Sequence, residues 1–423
     1  MGPLAWLALA VTAIAIWALI KRYETRLVLI ASGLFLCLVA GSPMAGLDAF
    51  AKSMTNAALV TAICGSMGFA YVSSYVKADR SLVHYMASPI RGLGIFLIPV
   101  CTLITFIVNI AIPSASGCAA AVGSTLIPVM LRSGIKPAAA AAAVLAGTIG
   151  SYLTPGTSHN PYVAKMANME VMDFIAFHAP YSIMIGLFGI FGTLIVCFLL
   201  GDHKGDANQK ADESKLQKQD DDFKPSPLLA IMPMVPIALL LIGNLWIPEL
   251  KMGVAQAMVI GAIVSLICAR ANPQDFTKQF FNGTGKGYAD VIGIIIAAGV
   301  FAAGLKSTGL IDAFIAMLKE SNDIARWGGS IGPFIMGIIT GSGDAATLAF
   351  NETVTPHAQD FGMSIEGLGG LAFLAGAAGR TCSPIAGVTI IVAGIAMANP
   401  LEVVKRTFLP MFIAVVCCAL LMV

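Results

Sequence analysis

Apolar runs follow one another along almost the whole chain, many of them about 17–25 residues long, the length a helix needs to cross a hydrocarbon core about 30 Å thick. In order they predict two plain spans at 4–20 and 27–43, a third at 56–76 and a short amphipathic segment at 78–90. Two shorter apolar arms come next, at 92–112 and 117–131, joined by the small polar tip PSAS. The run 137–167 is interrupted at Thr154-Pro155, and 179–200 closes the series. After a polar stretch the same order returns: 228–247, 252–271, 287–305, 308–321, arms at 329–340 and 345–356 around GSGD, a run 366–399 interrupted at Ser383-Pro384, and 407–423. Arms too short to cross with comfort predict a re-entrant hairpin in each half. The first run lacks a basic start and is followed by KRYETR rather than a small-residue cleavage site, so it reads as a retained span and not a signal peptide.

The polar stretch, Gly201 to Pro227, holds five lysines and seven acids and is expected to be a solvated cytoplasmic linker. The chain matches itself across it. FIVNIAIPSASGCAAAVGSTLIPVML, from Phe106, lies over FIMGIITGSGDAATLAFNETVTPHAQ, from Phe334, at a constant offset of 228. GSYLTPG, from Gly150, lies over GRTCSPI, from Gly379, at an offset of 229. Order, spacing and breaker positions agree along nearly the whole of each half, which argues for an internal duplication. The domains read as a first repeat at 1–200, a linker at 201–227 and a second repeat at 228–423. With each hairpin returning to the side it enters from, each half crosses an odd number of times, so the second half is inverted. Placing the N-terminus outside puts 18 of the 25 lysines and arginines on the cytoplasmic side, 6 on the outer side and Arg380 inside the membrane. That distribution obeys the positive-inside rule and leaves both termini in the periplasm.

Composition narrows the class. The chain is 57% hydrophobic and 11% charged, against roughly 25% charged for soluble domains, which excludes an ordinary soluble enzyme. The fold class is therefore an all-α polytopic membrane protein of two inverted-topology repeats, each with a re-entrant hairpin and a broken transmembrane helix. A net charge of +2 without a basic array gives no reason to expect nucleic acid. The nine cysteines sit in apolar stretches with no C-x-x-C pair and read as packing residues. The five histidines are scattered, so neither a metal site nor a nucleophile–base pair is indicated. No nucleotide-binding loop is present either.

Unpaired backbone groups do not face lipid, so a hairpin tip or a helix break at membrane depth lines a cavity. A helix N-terminus there offers N–H groups and a partial positive charge, which suit an anion. Four such ends are expected: tips at 114–117 and 341–344, and breaks at 154–160 and 380–384. Ser and Thr are favoured caps, and Pro suits a first helical turn. The candidate substrate ligands are accordingly Ser114, Ser116, Thr154, Thr157, Ser158, His159, Asn160, Ser342, Arg380, Thr381 and Ser383. Arg380 is expected beside a helix start. A guanidinium at membrane depth needs an anionic partner or must snorkel to the surface. The partner is either Asp344 or Glu352, both on the second hairpin, or a substrate carboxylate gripped by the guanidinium fork. Asp344 stands where the first tip has Ser116, and with Glu352 it is a candidate coupling site for H⁺ or Na⁺. Asn109 and Asn351 read equally well as ligands or as interhelical hydrogen-bond partners.

The segments PSASGCAAAVGSTLIPVMLRSGIKPAAAAAA and GSGDAATLAFNE…AFLAGAAGRTCSPIAGV resemble the anaerobic C4-dicarboxylate carrier family (DcuC) of the ion-transporter superfamily, and the resemblance runs over most of the chain. It implies a secondary transporter in a bacterial inner membrane for fumarate, succinate, malate or aspartate, working by exchange or by symport with H⁺ or Na⁺. It also implies a homodimer with an elevator mechanism. Spans 4–43 and 228–271 would form a fixed scaffold, and 92–167 with 329–399 a moving region. The expected partners are the dicarboxylate, the bilayer and a second copy, with no cofactor. A carrier of the same fold for another organic anion, such as citrate, an amino acid or a short-chain fatty acid, is the competing expectation, and a channel is a further one.

Overall fold

The computed structural model describes residues 2–21, 23–87, 93–203, 224–313 and 322–423. Most of the polar linker (204–223), the junction 88–92 and the second half of the amphipathic segment 308–321 lie outside the described residues. The described residues contain helices and no strand. The first half runs α1 (Pro3–Ile20), α2 (Thr25–Val39), α3 (Pro43–Met54), α4 (Ala57–Tyr75), α5 (Ala78–Ala87), α6 (Leu97–Ala111), α7 (Ala115–Arg132), α8 (Pro137–Gly147), α9 (His159–Met166) and α10 (Val171–Leu199). The second half runs α11 (Pro227–Gly243), α12 (Val254–Ala269), α13 (Pro273–Ser307), α14 (Asn322–Thr340), α15 (Gly343–Thr353), α16 (Ile365–Thr381), α17 (Gly387–Ala396) and α18 (Pro400–Leu421).

Local chemistry sets the helix ends. Proline occupies the first turn of α1, α3, α8, α13 and α18, where its missing N–H is not needed. Ser114, Ser364 and Asn399 accept backbone hydrogen bonds as caps of α7, α16 and α18. Hydropathy alone passed over α3 and the first half of α13, because their apolar positions are confined to one side. Thr55 and Asn56 interrupt the chain between α3 and α4, whereas α13 stays continuous through a π turn at Tyr288–Ile292.

Among the described residues, five helices are long and apolar enough to cross a membrane. Two of them, Gly94–Ala111 and Ala115–Arg132, are the arms of the first hairpin, each 18 residues long. The expectation of short arms is therefore corrected there, and length does not force that hairpin to turn back. In the second hairpin α15 has only 11 residues.

The two interrupted runs form the centre of the molecule. Every residue from Ala139 to Gly147 on α8 and from Gly367 to Gly379 on α16 is buried. Both stretches consist largely of Ala and Gly, which lets neighbouring helices approach closely. Large apolar side chains such as Trp6, Leu27, Phe191 and Phe198 instead cover the outside, a surface suited to hydrocarbon. One charge pair lies deep. Arg406 on α18 donates from Nε and Nη2 to both carboxylate oxygens of Asp202, at 2.8 and 2.9 Å, and the Lys136 N–H donates to the Asp202 carbonyl at 2.9 Å. Asp202 is fully buried, so it does not belong to the solvated linker to which its sequence position assigned it.

Candidate functional site

Both interrupted runs break. Between α8 and α9 the chain makes a 3-10 turn at Gly150–Leu153, and Thr154 is extended. Between α16 and α17 residues 382–386 are not helical. Neither proline begins a helix: α9 starts at His159 and α17 at Gly387, with Ala386 as its cap. Arg380 consequently lies in the last turn of α16 and not beside a helix start. The negative end of the helix dipole suits its charge there.

The four ends touch in a closed ring. Asn109 on α6 accepts from the Ser151 N–H at 2.8 Å, and Thr154 Oγ1 donates to the Ile110 carbonyl, so the first hairpin holds the first break. Ser116 Oγ lies 3.8 Å from where a Cβ on Gly387 would stand, so the first tip abuts the second break. A Cβ on Gly341 would lie 3.0 Å from the Ala386 nitrogen, so the second tip abuts that break too. His159 Nδ1 and Asp344 Oδ1 are 3.9 Å apart, joining the second tip to the first break. Arg380 Nη2 donates to the Thr148 carbonyl at 3.0 Å, joining the two breaks directly.

Within this ring the candidate ligands divide. The hydroxyls of Thr154, Thr157 and Thr381 donate to the carbonyls of Ile110, Ser151 and Ala378, and Asn160 makes three hydrogen bonds inside its own break and to α10. Ser114 Oγ accepts from the Gly117 N–H as the cap of α7. Ser158 Oγ lies 3.3 Å from His159 Nδ1, and Ser342 caps α15 without using its side chain. By contrast Arg380 Nε, His159 Nε2, Ser383 Oγ and Tyr152 Oη are buried with no hydrogen-bond partner among the described residues. The backbone adds further donors: the amides of Gly156, Ser158 and His159 at the first break, and of Ile385, Gly387 and Val388 at the second, make no backbone hydrogen bond among the described residues.

No carboxylate of the described residues lies within ion-pair distance of Arg380. Asp344 is 63% exposed and faces His159. Glu352 instead accepts a hydrogen bond from the Tyr162 hydroxyl of α9. Asn109 and Asn351 both resolve as interhelical clips, the latter donating to the Gly369 carbonyl at 3.3 Å and accepting from Thr355. Sequence reasoning missed Tyr152, Tyr162, His178 and Phe373. None carries a local motif. Phe373 stacks on His159 (4.5 Å between centroids, 7° between planes) and meets the Tyr152 ring edge-on at 4.6 Å. A separate cleft of about 220 Å³, lined by Thr61, Glu170 and Lys251 among others, contains none of these residues.

Comparison with known proteins agrees with this architecture. A family profile described as C4-dicarboxylate anaerobic carrier (DcuC) matches residues 24–423. An uncharacterized transporter of Haemophilus influenzae is 46% identical over 280 residues, covering 64% of this chain and 99% of the relative. The anaerobic C4-dicarboxylate transporter DcuC of Escherichia coli is 28% identical over 361 residues, covering 82% of this chain and 77% of the relative. Among solved structures, the YdaH transporter of Alcanivorax borkumensis matches with a TM-score of 0.57 over 89% of this chain and 86% of that one. At 14% identity that likeness is one of fold alone.

Proposed function

This chain belongs to the C4-dicarboxylate anaerobic carrier family and is a multi-pass membrane carrier rather than an enzyme; from that premise we propose that it moves C4-dicarboxylates such as fumarate, succinate, malate or aspartate through the ring of four helix ends. The observation that carries the reading is the set of buried side-chain polar atoms without a partner among the described residues, Arg380 Nε, His159 Nε2 and Ser383 Oγ, together with the unpaired backbone amides at the two breaks. Donors without acceptors at membrane depth are costly unless an anion or water completes them. One substrate carboxylate takes Arg380, which has no carboxylate of the described residues within ion-pair distance, and the other takes helix-end amides.

The halves are inverted repeats. Phe106 and Gly150 are matched by Phe334 and Gly379, and in both pairs the glycine is so close to the phenylalanine carbonyl that a Cβ would sit 1.9 or 2.0 Å from it. Both termini are periplasmic, and the carrier works as a homodimer in a bacterial inner membrane. The moving region is the buried unit of hairpins and broken runs, which slides as an elevator past a scaffold of spans 4–43 and 228–271. Transport is exchange or symport, with Asp344 and Glu352 as the carboxylates available to a coupling H⁺ or Na⁺.

Counterflow in proteoliposomes with a labelled panel (succinate, fumarate, malate, aspartate, citrate, acetate), with and without a sodium gradient, tests the substrate. Saturable uptake driven by succinate or fumarate is the expected result; a preference for citrate or acetate would give the site to another organic anion. Arg380→Lys keeps the charge and loses the fork, so uptake is expected to fall by about 10-fold or more in a protein that still inserts. Normal uptake would remove the carboxylate clamp.

A further inference from the structure

His178 lies on α10, outside the ring, yet a continuous hydrogen-bond chain joins it to the first break. Asn160 donates both amide hydrogens, to the Tyr152 and Thr154 carbonyls, each at 2.8 Å. Its Oδ1 is then the only atom left to meet His178 Nε2, 3.0 Å away. Turning the amide over would set oxygen against two carbonyl oxygens. Oδ1 therefore accepts, and His178 Nε2 carries the proton. On its other side Nδ1 lies 2.9 Å from Ser182 Oγ, which donates to it in the neutral ring. His178, Asn160 and Ser182 are each completely buried. The imidazole is also packed: Phe174 lies 4.8 Å from it, and Phe373 meets it nearly at right angles at 6.1 Å. The face of Phe373 in turn stacks on His159, whose Nε2 is buried without a hydrogen-bond partner among the described residues.

We propose that His178, as the Nε2–H tautomer, is a positioning residue of the substrate site. Through Asn160 it caps the two break carbonyls, at Tyr152 and Thr154, so that the break offers an anion its amides and not its carbonyl oxygens. Through Phe373 it sets the plane of His159. It touches no substrate itself. Asn160, expected to be a ligand, becomes the second member of this brace. The inference rests on reading the first break as part of the substrate site.

The test compares His178→Gln, which keeps an N–H within reach of Asn160, with His178→Phe, which keeps a ring and removes the donor. In succinate counterflow, His178→Phe is expected to raise KM by about 10-fold or more, since misplacing binding groups by about 1 Å is worth up to about 10²-fold. His178→Gln is expected to recover most of that affinity. An equal KM in wild type and His178→Phe, or no recovery with Gln, overturns the proposal. Solid-state ¹⁵N spectra of histidine-labelled wild-type carrier, with His178 assigned by its absence from the Gln variant, decide independently of transport and of whether the Phe variant folds. A protonated Nε2 with an unprotonated Nδ1 supports the brace; the opposite tautomer sinks it. If His178→Phe is normal while Arg380→Lys is inactive, the brace alone fails. If Arg380→Lys transports normally, the substrate site fails.

Discussion

Gly150→Ala isolates the packing on which the site depends. A Cβ at this position would stand 1.9 Å from the carbonyl oxygen of Phe106, 2.9 Å from its carbon and 3.2 Å from its Cα. Real Cβ atoms essentially never come within 3.0 Å of such a neighbour, so the break and α6 must separate by at least about 1.1 Å. No flexible side chain can absorb that movement, because the obstruction is backbone inside a helix. Overpacking a tight interior costs typically about 1–3 kcal/mol, and a rigid obstruction belongs at the upper end. The same shift pulls the Ser151 N–H from Asn109, now at 2.8 Å, and Thr154 from the Ile110 carbonyl, which loosens the first break directly. Transport is expected to fall by about 10²-fold, with a lower melting temperature in detergent. Gly379→Ala, whose Cβ would lie 2.0 Å from the Phe334 carbonyl, should behave alike. Gly285→Ala on α13 has nothing within 4 Å and is the control, neutral or stabilising by up to about 1 kcal/mol. Labelled succinate counterflow and melting curves on the three purified variants decide. Wild-type values for Gly150→Ala would refute the close approach of α6 to the break, and a defect in only one of the two matched variants would refute their equivalence.

Asp344→Asn should weaken the dependence of uptake on the pH or sodium gradient while substrate exchange persists; unchanged ion dependence would exclude Asp344 from coupling. Tyr162→Phe removes the hydroxyl that donates to the half-buried Glu352, and a loss of about 1–3 kcal/mol is expected. Adding Glu352→Gln should restore part of it, whereas strictly additive melting shifts would show that the two residues do not interact. Arg406→Ala leaves the fully buried Asp202 carboxylate without its bidentate partner, an expected destabilisation of about 3–5 kcal/mol. Expression and melting measured beside an Asp202→Leu/Arg406→Met double variant check it, since the paired apolar replacement should recover most of the loss.

Three levels of the protein differ in how far they could be read from the chain. Span positions were legible because hydropathy is a property of each run alone: 4–20, 56–76 and 407–423 became α1, α4 and most of α18. Breaks at Thr154-Pro155 and Ser383-Pro384 were legible because proline excludes helix from the residue before it. The helix starts beyond them were not. Pro155 and Pro384 lie within non-helical loops rather than at helix starts, and α16 runs on to Thr381, so Arg380 came to rest at a C-terminal end. Hydroxyl roles were also misjudged. A threonine beside a break bonds whichever carbonyl the fold brings within reach, and Ile110, which accepts from Thr154, is 44 residues away in the chain.

By itself the sequence determined the class: charge too sparse for water, apolar runs of membrane length, and two halves repeating their breakers at offsets of 228 and 229. Only the tertiary structure decided which polar atoms remain available. Asn160, Thr157 and Thr381 look as good as Arg380 and His159 in the chain, yet their side chains are hydrogen-bonded within the protein, while Arg380 Nε and His159 Nε2 have no partner among the described residues. The physical reason is that a residue's type sets how many hydrogen bonds it can make, whereas its neighbours in space set how many are left for a ligand.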